Sequence, residues 1–194
     1  MRDLNQAFSR FPTLKTQRFL LRQVNSTDLP TMFRIRSDPK VMRYYGSNPI
    51  NSLLDAQRII DELQSAFHNQ LGIRWMIALP DKDEMIGSCG FWRILKPHYR
   101  AEVGYDLAPE YWGQGVMSEA LEAILDWGFR QMGLNSVEAQ IDPENLGSRR
   151  VLEKCGFQQE GHLRQAYCQN GVFTDTTVFG LLASDWDKLH PIAK

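Results

Sequence analysis

Apolar residues recur along this chain with two distinct periods, and each change of period marks a boundary between elements. Residues 18–23 read as a first strand, and Ser26-Thr27-Asp28-Leu29-Pro30 reads as a capped helix start with proline in its first turn. Helices are predicted over most of the stretch that follows. Ser52 is placed to cap the longest of them, in which Leu53, Ala56, Ile59, Ile60, Leu63 and Phe67 recur at helical spacing, ending near Asn69-Gln70. Beyond Gly72 the pattern becomes that of strands. Residues 73–79 and 85–92 are separated by Pro80-Asp81-Lys82-Asp83, a hairpin turn, and a further strand is predicted at 101–107.

Helical spacing returns with Met117, Ala120, Leu121, Ile124, Leu125, Phe129 and Met132, one apolar stripe closed by Gly133. Residues 136–141 then read as a strand and 145–155 as a helix stopped by Gly156, and a strand, a crossing helix and a strand imply a parallel step. Two last strands, 158–166 and 173–182, flank Gln169-Asn170-Gly171, whose Asn-Gly pair is a strong hairpin signal. The pattern is that of an α/β protein with about six to seven strands and flanking helices, in one domain spanning residues 1–194.

Composition narrows the functional classes. An apolar content of 43% in 194 residues supplies a sizeable core. A net charge of −1 with scattered basic residues gives no electrostatic support for binding nucleic acid, so any acidic ligand must be held locally. The three cysteines, Cys89, Cys155 and Cys168, are too widely spaced for a disulfide framework or a zinc site, which points to a reducing cytoplasm and to no metal cofactor. No run approaches the eighteen or so apolar residues needed to cross a bilayer, and the amino terminus does not read as a signal peptide, so no membrane partner is expected.

The chemistry concentrates after the strand at 101–107. Trp112-Gly113-Gln114-Gly115 leads from that strand into a helix, and such a turn aims backbone N–H groups and the positive helix end at whatever sits there. Gly113 and Gly115 leave the main chain uncovered, so an anion can reach the amides of Gln114, Gly115, Val116 and Met117. A lysine-serine or lysine-threonine ending and a third glycine are both missing, which excludes the common triphosphate and dinucleotide loops and implies another phosphate ligand.

Taken in order, Arg18-Phe19-Leu20-Leu21-Arg22, Ala101-Glu102-Val103-Gly104-Tyr105, Trp112-Gly113-Gln114-Gly115, Asn145 with Ser148, and Glu153-Lys154-Cys155-Gly156-Phe157 with Glu160-Gly161 resemble the GCN5-related N-acetyltransferases, within them the RimJ/RimL type. The resemblance covers residues 13–186, nearly the whole chain. It implies a single mixed sheet that splays between the strands ending near Leu107 and Ile141. Acetyl-coenzyme A would enter that opening as co-substrate, its pyrophosphate on the amides of Gln114, Gly115, Val116 and Met117, its pantetheine arm along the backbone near Leu107, with Asn145 and Ser148 also in reach. The chain departs from the general family pattern in carrying Trp112, which RimJ/RimL-like members share, and Met117 where Gly or Ala is usual.

By the same resemblance Glu102 is the general base and Ser148 the donor to the departing thiolate; a carboxylate suits the first task because a primary amine is mostly protonated at neutral pH. The tyrosine that many relatives place four residues before Gly156-Phe157 is Leu152 here, and the catalytic glutamate of alanine-specific relatives is Gln140, leaving Glu138 in reserve. Asn145 also reads as a helix cap. His68, His98, His162 and His190 have no metal spacing, though His98 stands near the acceptor side, and Tyr44, Tyr45, Trp75, Phe91 and Trp92 are read chiefly as packing aromatics. The implied reaction is acetyl transfer by direct attack in a ternary complex, with a protein or peptide N-terminal amine as acceptor. A polyamine or antibiotic amine, or a non-catalytic acyl-coenzyme A sensor, are the alternatives, and either a monomer or a homodimer is compatible.

Overall fold

The computed structural model describes residues 6–191 of the chain. Its elements are β1 (Leu14–Lys15), β2 (Leu20–Arg22), α1 (Leu29–Ser37), α2 (Pro39–Met42), α3 (Leu53–His68), β3 (Ile73–Leu79), β4 (Glu84–Leu95) and β5 (Arg100–Leu107). There follow α4 (Val116–Trp127), β6 (Ser136–Ile141), α5 (Leu146–Lys154), β7 (Gln158–Gln169), β8 (Val172–Leu182) and α6 (Ala183–Leu189). Eight strands make one sheet in the order β1-β2-β3-β4-β5-β6-β8-β7. Among the described strands only β5 and β6 run parallel, joined by the crossing helix α4 as the strand-helix-strand pattern requires.

The sheet holds one strand more than the periodicity suggests, because β1 has two residues and no period can show in so short a run. The first helix start is capped as expected, by Asn25, which accepts from the Thr27 amide at 2.8 Å while Asp28 Oδ2 accepts from the Asn25 amide at 2.9 Å. Ser52 caps α3 as expected, and Asn170 (φ 52°) and Gly171 (φ 79°) make the tight turn between β7 and β8. The apolar stripe that runs to Gly133 is α-helical only to Trp127 and continues as a π turn over Gly128–Met132.

Alternation along the strands divides the core in two. Ala101, Val103 and Leu107 of β5 and Trp75 and Phe91 of the neighbouring strands pack against Ala120, Leu121, Ile124 and Leu125 of α4. Met76 and Met85, on the opposite face, pack against Met32 and Ile35 of α1 and Ala56 and Ile60 of α3. Glu102, Gly104 and Asp106 alternate with the first set and therefore face the α1/α3 side.

The sheet opens at its centre. β5 and β6 pair only through Arg100, Ala101 and Glu102 with Ser136, Val137 and Glu138. Beyond that point β5 stays with β4 as far as Leu107, and β6 stays with β8 as far as Ile141. The facing edges of β5 and β6 past Glu102 and Glu138 thus lack ladder partners, and their backbone donors and acceptors are left for something inserted between them.

Candidate active site

The turn after β5 is shaped by its glycines. Gly113 (φ 73°) and Gly115 (φ 75°) are both left-handed, a conformation that costs other residues about 1 kcal/mol or more. A Cβ on Gly113 would touch nothing within 4 Å, so backbone conformation rather than crowding calls for glycine there. No side chain caps α4, which starts at Val116, so its first-turn N–H groups stay available to an anion. Val116 and Met117 point into the core, Met117 being only 5% exposed, and the long Met117 side chain therefore leaves the amides clear.

Polar contacts brace this turn. Arg18 Nη1 donates to the Gln114 carbonyl at 3.1 Å and its Nε to Glu119 Oε2 at 2.6 Å. Burial pushes the Glu119 carboxyl up, but hydrogen bonds from Thr16 and Arg18 outweigh it and hold the group below its usual range. The Gln114 side chain donates to the Glu110 carbonyl at 2.7 Å, so Gln114 offers the turn its backbone. Trp112 Nε1 donates to the Leu107 carbonyl at 2.8 Å, folding the turn onto the end of β5.

Glu102 and Glu138 stand side by side at the last paired position, where the sheet parts. Glu102 is 8% exposed, and burial pushes its carboxyl above the usual range, against the opposing pull of Arg93 and Arg100. Its Oε2 accepts from Arg93 Nη1 at 3.1 Å. Glu138 is more heavily committed, to an ion pair with Arg100 and to Gln140 Nε2 at 2.7 Å. Gln140 itself is exposed.

On the other lip, Asn145 Oδ1 accepts from the Ser148 amide at 3.0 Å and so caps α5. The Ser148 carbonyl accepts from the Tyr105 hydroxyl at 3.4 Å, and the Ser148 side chain also interacts with that phenol. Tyr105 thus reaches from β5 across the opening to α5. Burial pushes its phenol well above the usual value, so it remains protonated at neutral pH. The sequence reading missed Tyr105 because its contact joins residues 43 positions apart. It missed Arg93 because a break in the β4–β5 register, with Arg93 left-handed at φ 47°, turns that side chain toward Glu102.

Of the aromatics, Trp75 and Phe91 are buried in the core, whereas Trp92 is 49% exposed and the Tyr45 ring lies under the Arg36 guanidinium at 3.9 Å. Tyr44 packs with Arg43. His162 pairs with Asp175 at 2.7 Å, His190 stacks on Trp186, and His68 and His98 are exposed. No group of three or more His, Cys, Asp or Glu side chains able to hold a metal ion occurs among the described residues. Nor is any described helix long and apolar enough to cross a membrane.

Comparison with known proteins agrees with this geometry. Residues 18–158 match the family model described as an acetyltransferase (GNAT) domain. The chain is 38% identical over 172 residues to the uncharacterized N-acetyltransferase YoaA of Bacillus subtilis (strain 168), covering 89% of this chain and 97% of that one. Two solved structures share the fold. A spermidine N-acetyltransferase from Vibrio cholerae, in complex with CoA and spermine, aligns with a TM-score of 0.77 at 24% identity over 87% of this chain and 98% of that one. Mycobacterium smegmatis RimJ, in complex with CoA-disulfide, aligns at 0.80 and 23% identity over 94% and 90%. With an opened mixed sheet, an uncapped helix behind a double-glycine turn and a family match over most of its length, the chain belongs to the GNAT family of acetyltransferases, acyltransferase enzymes that use acetyl-coenzyme A and an amine acceptor.

Proposed function

We propose that this protein transfers the acetyl group of acetyl-coenzyme A to the α-amine of a protein or peptide N-terminus, with Glu102 as base. The single observation that carries this reading is the place of Glu102, at the last paired residue before β5 and β6 separate, with its carboxyl raised by burial. A raised carboxylate is a stronger base than an ordinary glutamate and better matched to an amine.

The uncapped amides of the 113–117 turn hold the pyrophosphate, and the unpaired edge of β5 between Glu102 and Leu107 receives the pantetheine amides. Bound there, acetyl-coenzyme A supplies an activated thioester. Glu102 takes a proton from the ammonium form of the acceptor, directly or through water, and the freed nitrogen lone pair bonds to the acetyl carbon as the carbon–sulfur bond breaks, the nitrogen then losing a second proton that balances the one taken up by the sulfur. The Ser148 hydroxyl and the protonated Tyr105 phenol beside it are the donors for the departing sulfur.

Thiol release by the purified protein, with N-terminal Ala, Ser and Thr peptides beside spermidine and small amines, tests the reading. Peptide turnover that disappears in Glu102→Gln upholds it. Polyamines outcompeting peptides by orders of magnitude would overturn the choice of acceptor, and cofactor binding without turnover on any amine would overturn catalysis.

A further inference from the structure

On the α1/α3 side of the sheet, four residues beyond Glu102 along β5, lies a charge cluster that the transfer chemistry does not use. Asp106, its side chain 0% exposed, accepts from Arg74 Nη2 at 2.8 Å and from Ser88 Oγ at 2.9 Å. Arg36 Nε stands 3.4 Å from the same carboxylate, and Arg74 and Arg36 are only 12% and 8% exposed. Two permanently charged guanidiniums therefore share one carboxylate inside the protein, an excess positive charge that burial makes costly. The Nε of Arg36 is buried without a hydrogen-bond partner.

The excess is directed at a bare stretch of backbone. A Cβ on Gly104 would lie 3.6 Å from Arg74 Nη1 and 3.7 Å from Trp92 Nε1, so both nitrogens border the space that this glycine leaves empty. Both groups only donate, and neither nitrogen has an acceptor among the described residues. Gly104 is on the same face as Glu102 and roughly 7 Å further along the strand, at about 3.3 Å per residue. Arg74 and Trp92 also line a cavity of about 260 Å³ together with Leu63, Gly90 and Arg93.

We infer that Arg74, Trp92 and the uncovered backbone of Gly104 form a carboxylate cradle, and that the acceptor is an amine that itself carries a carboxylate close to the reacting nitrogen. This rests on the acetyl-transfer reading and deepens it. The amine sits at Glu102, and an anion on the acceptor bridges Arg74 Nη1 and Trp92 Nε1 and offsets the surplus charge. A polyamine would instead bring further positive charge to a buried cationic site. The same chemistry occurs in a free amino acid and in a peptide with an acidic residue next to its N-terminus.

Matched acceptor pairs test the cradle: alanine against alaninamide for the free amino acid, and Ala-Glu-Ala-amide against Ala-Gln-Ala-amide for the peptide. Thiol release should give the carboxylate member of at least one pair a kcat/KM advantage of about tenfold or more, as charge-assisted hydrogen bonds provide. That pair identifies the source. The ratio should fall toward one in Arg74→Met, which leaves Asp106 paired with Arg36, and in Trp92→Phe, which alters only a half-exposed ring. Ratios near one in the wild type, or ratios unchanged in both variants, would overturn the cradle. Calorimetric titration of the coenzyme A-loaded protein with the same pairs separates the two readings. If no amine is acetylated, the transfer reading falls, yet selective binding of a carboxylate member still upholds the cradle and unselective or absent binding overturns it.

Discussion

Replacing Arg93 by Gln should move the acid limb of the pH–rate profile upward. Arg93 Nη1 lies 3.1 Å from Glu102 Oε2, with the arginine side chain 59% exposed and the glutamate 10%. Two unit charges about 4 Å apart interact by about 1 kcal/mol in water and about 4 kcal/mol at an effective dielectric constant of 20. The exposed guanidinium is screened by solvent, which places the pair at the weak end, about 1 kcal/mol, or about 0.7 of a pH unit. The sign follows from which form the arginine favours. Arg93 stabilises ionised Glu102 against the burial that raises its pKa, so its loss leaves burial less opposed and shifts the pKa further up.

A base works only when ionised, so kcat/KM of Arg93→Gln should fall at acidic pH and approach the wild-type value on the alkaline side. The measurement is kcat/KM for one peptide between about pH 5 and 9, and the expected displacement is about half to one unit. Raising the salt concentration should move the wild-type limb the same way and affect the variant less, because only the Arg100 attraction is left to screen. Arg93→Lys should restore most of the wild-type position. A limb that stays fixed in a folded Arg93→Gln protein, or moves to lower pH, would refute Glu102 as the titrating base.

Four further outcomes are expected. Glu102→Gln should lower kcat about 10²- to 10⁴-fold, the usual contribution of a general base, with little change in acetyl-coenzyme A affinity measured by calorimetry. Ser148→Ala and Tyr105→Phe should each reduce single-turnover thiol release, and the double variant should lose more than either, whereas a purely structural Tyr105 contact would lower the melting temperature without changing the rate. Gly115→Val should raise the KM for acetyl-coenzyme A far more than that for the acceptor, since a β-branched residue resists the φ of 75° that aims the amides. Asp28→Ala should destabilise the fold by about 3–5 kcal/mol, read in urea unfolding, because Arg22 Nη1 and Nη2 meet Asp28 at 2.8 Å each and would be left buried with only the exposed Asp83 as carboxylate partner.

Local pattern determined much of this protein. The hairpin turn at Asn170-Gly171, the cap at Ser52, the double-glycine turn and the parallel step through α4 each follow from neighbours in the chain, because turn conformation and helix capping are set over a few residues. Glu102 was legible as a candidate through the family resemblance, on a strand that leads directly into the phosphate turn. Only the tertiary structure decided what surrounds that carboxylate. Arg93 turns toward it through a register break, Tyr105 reaches a helix 43 residues away, and Arg36, Arg74 and Asp106 meet from three separate elements. Burial and charge pairing depend on distances across the fold rather than along the chain, so the periodicity that places an element cannot show which charges its side chains will meet.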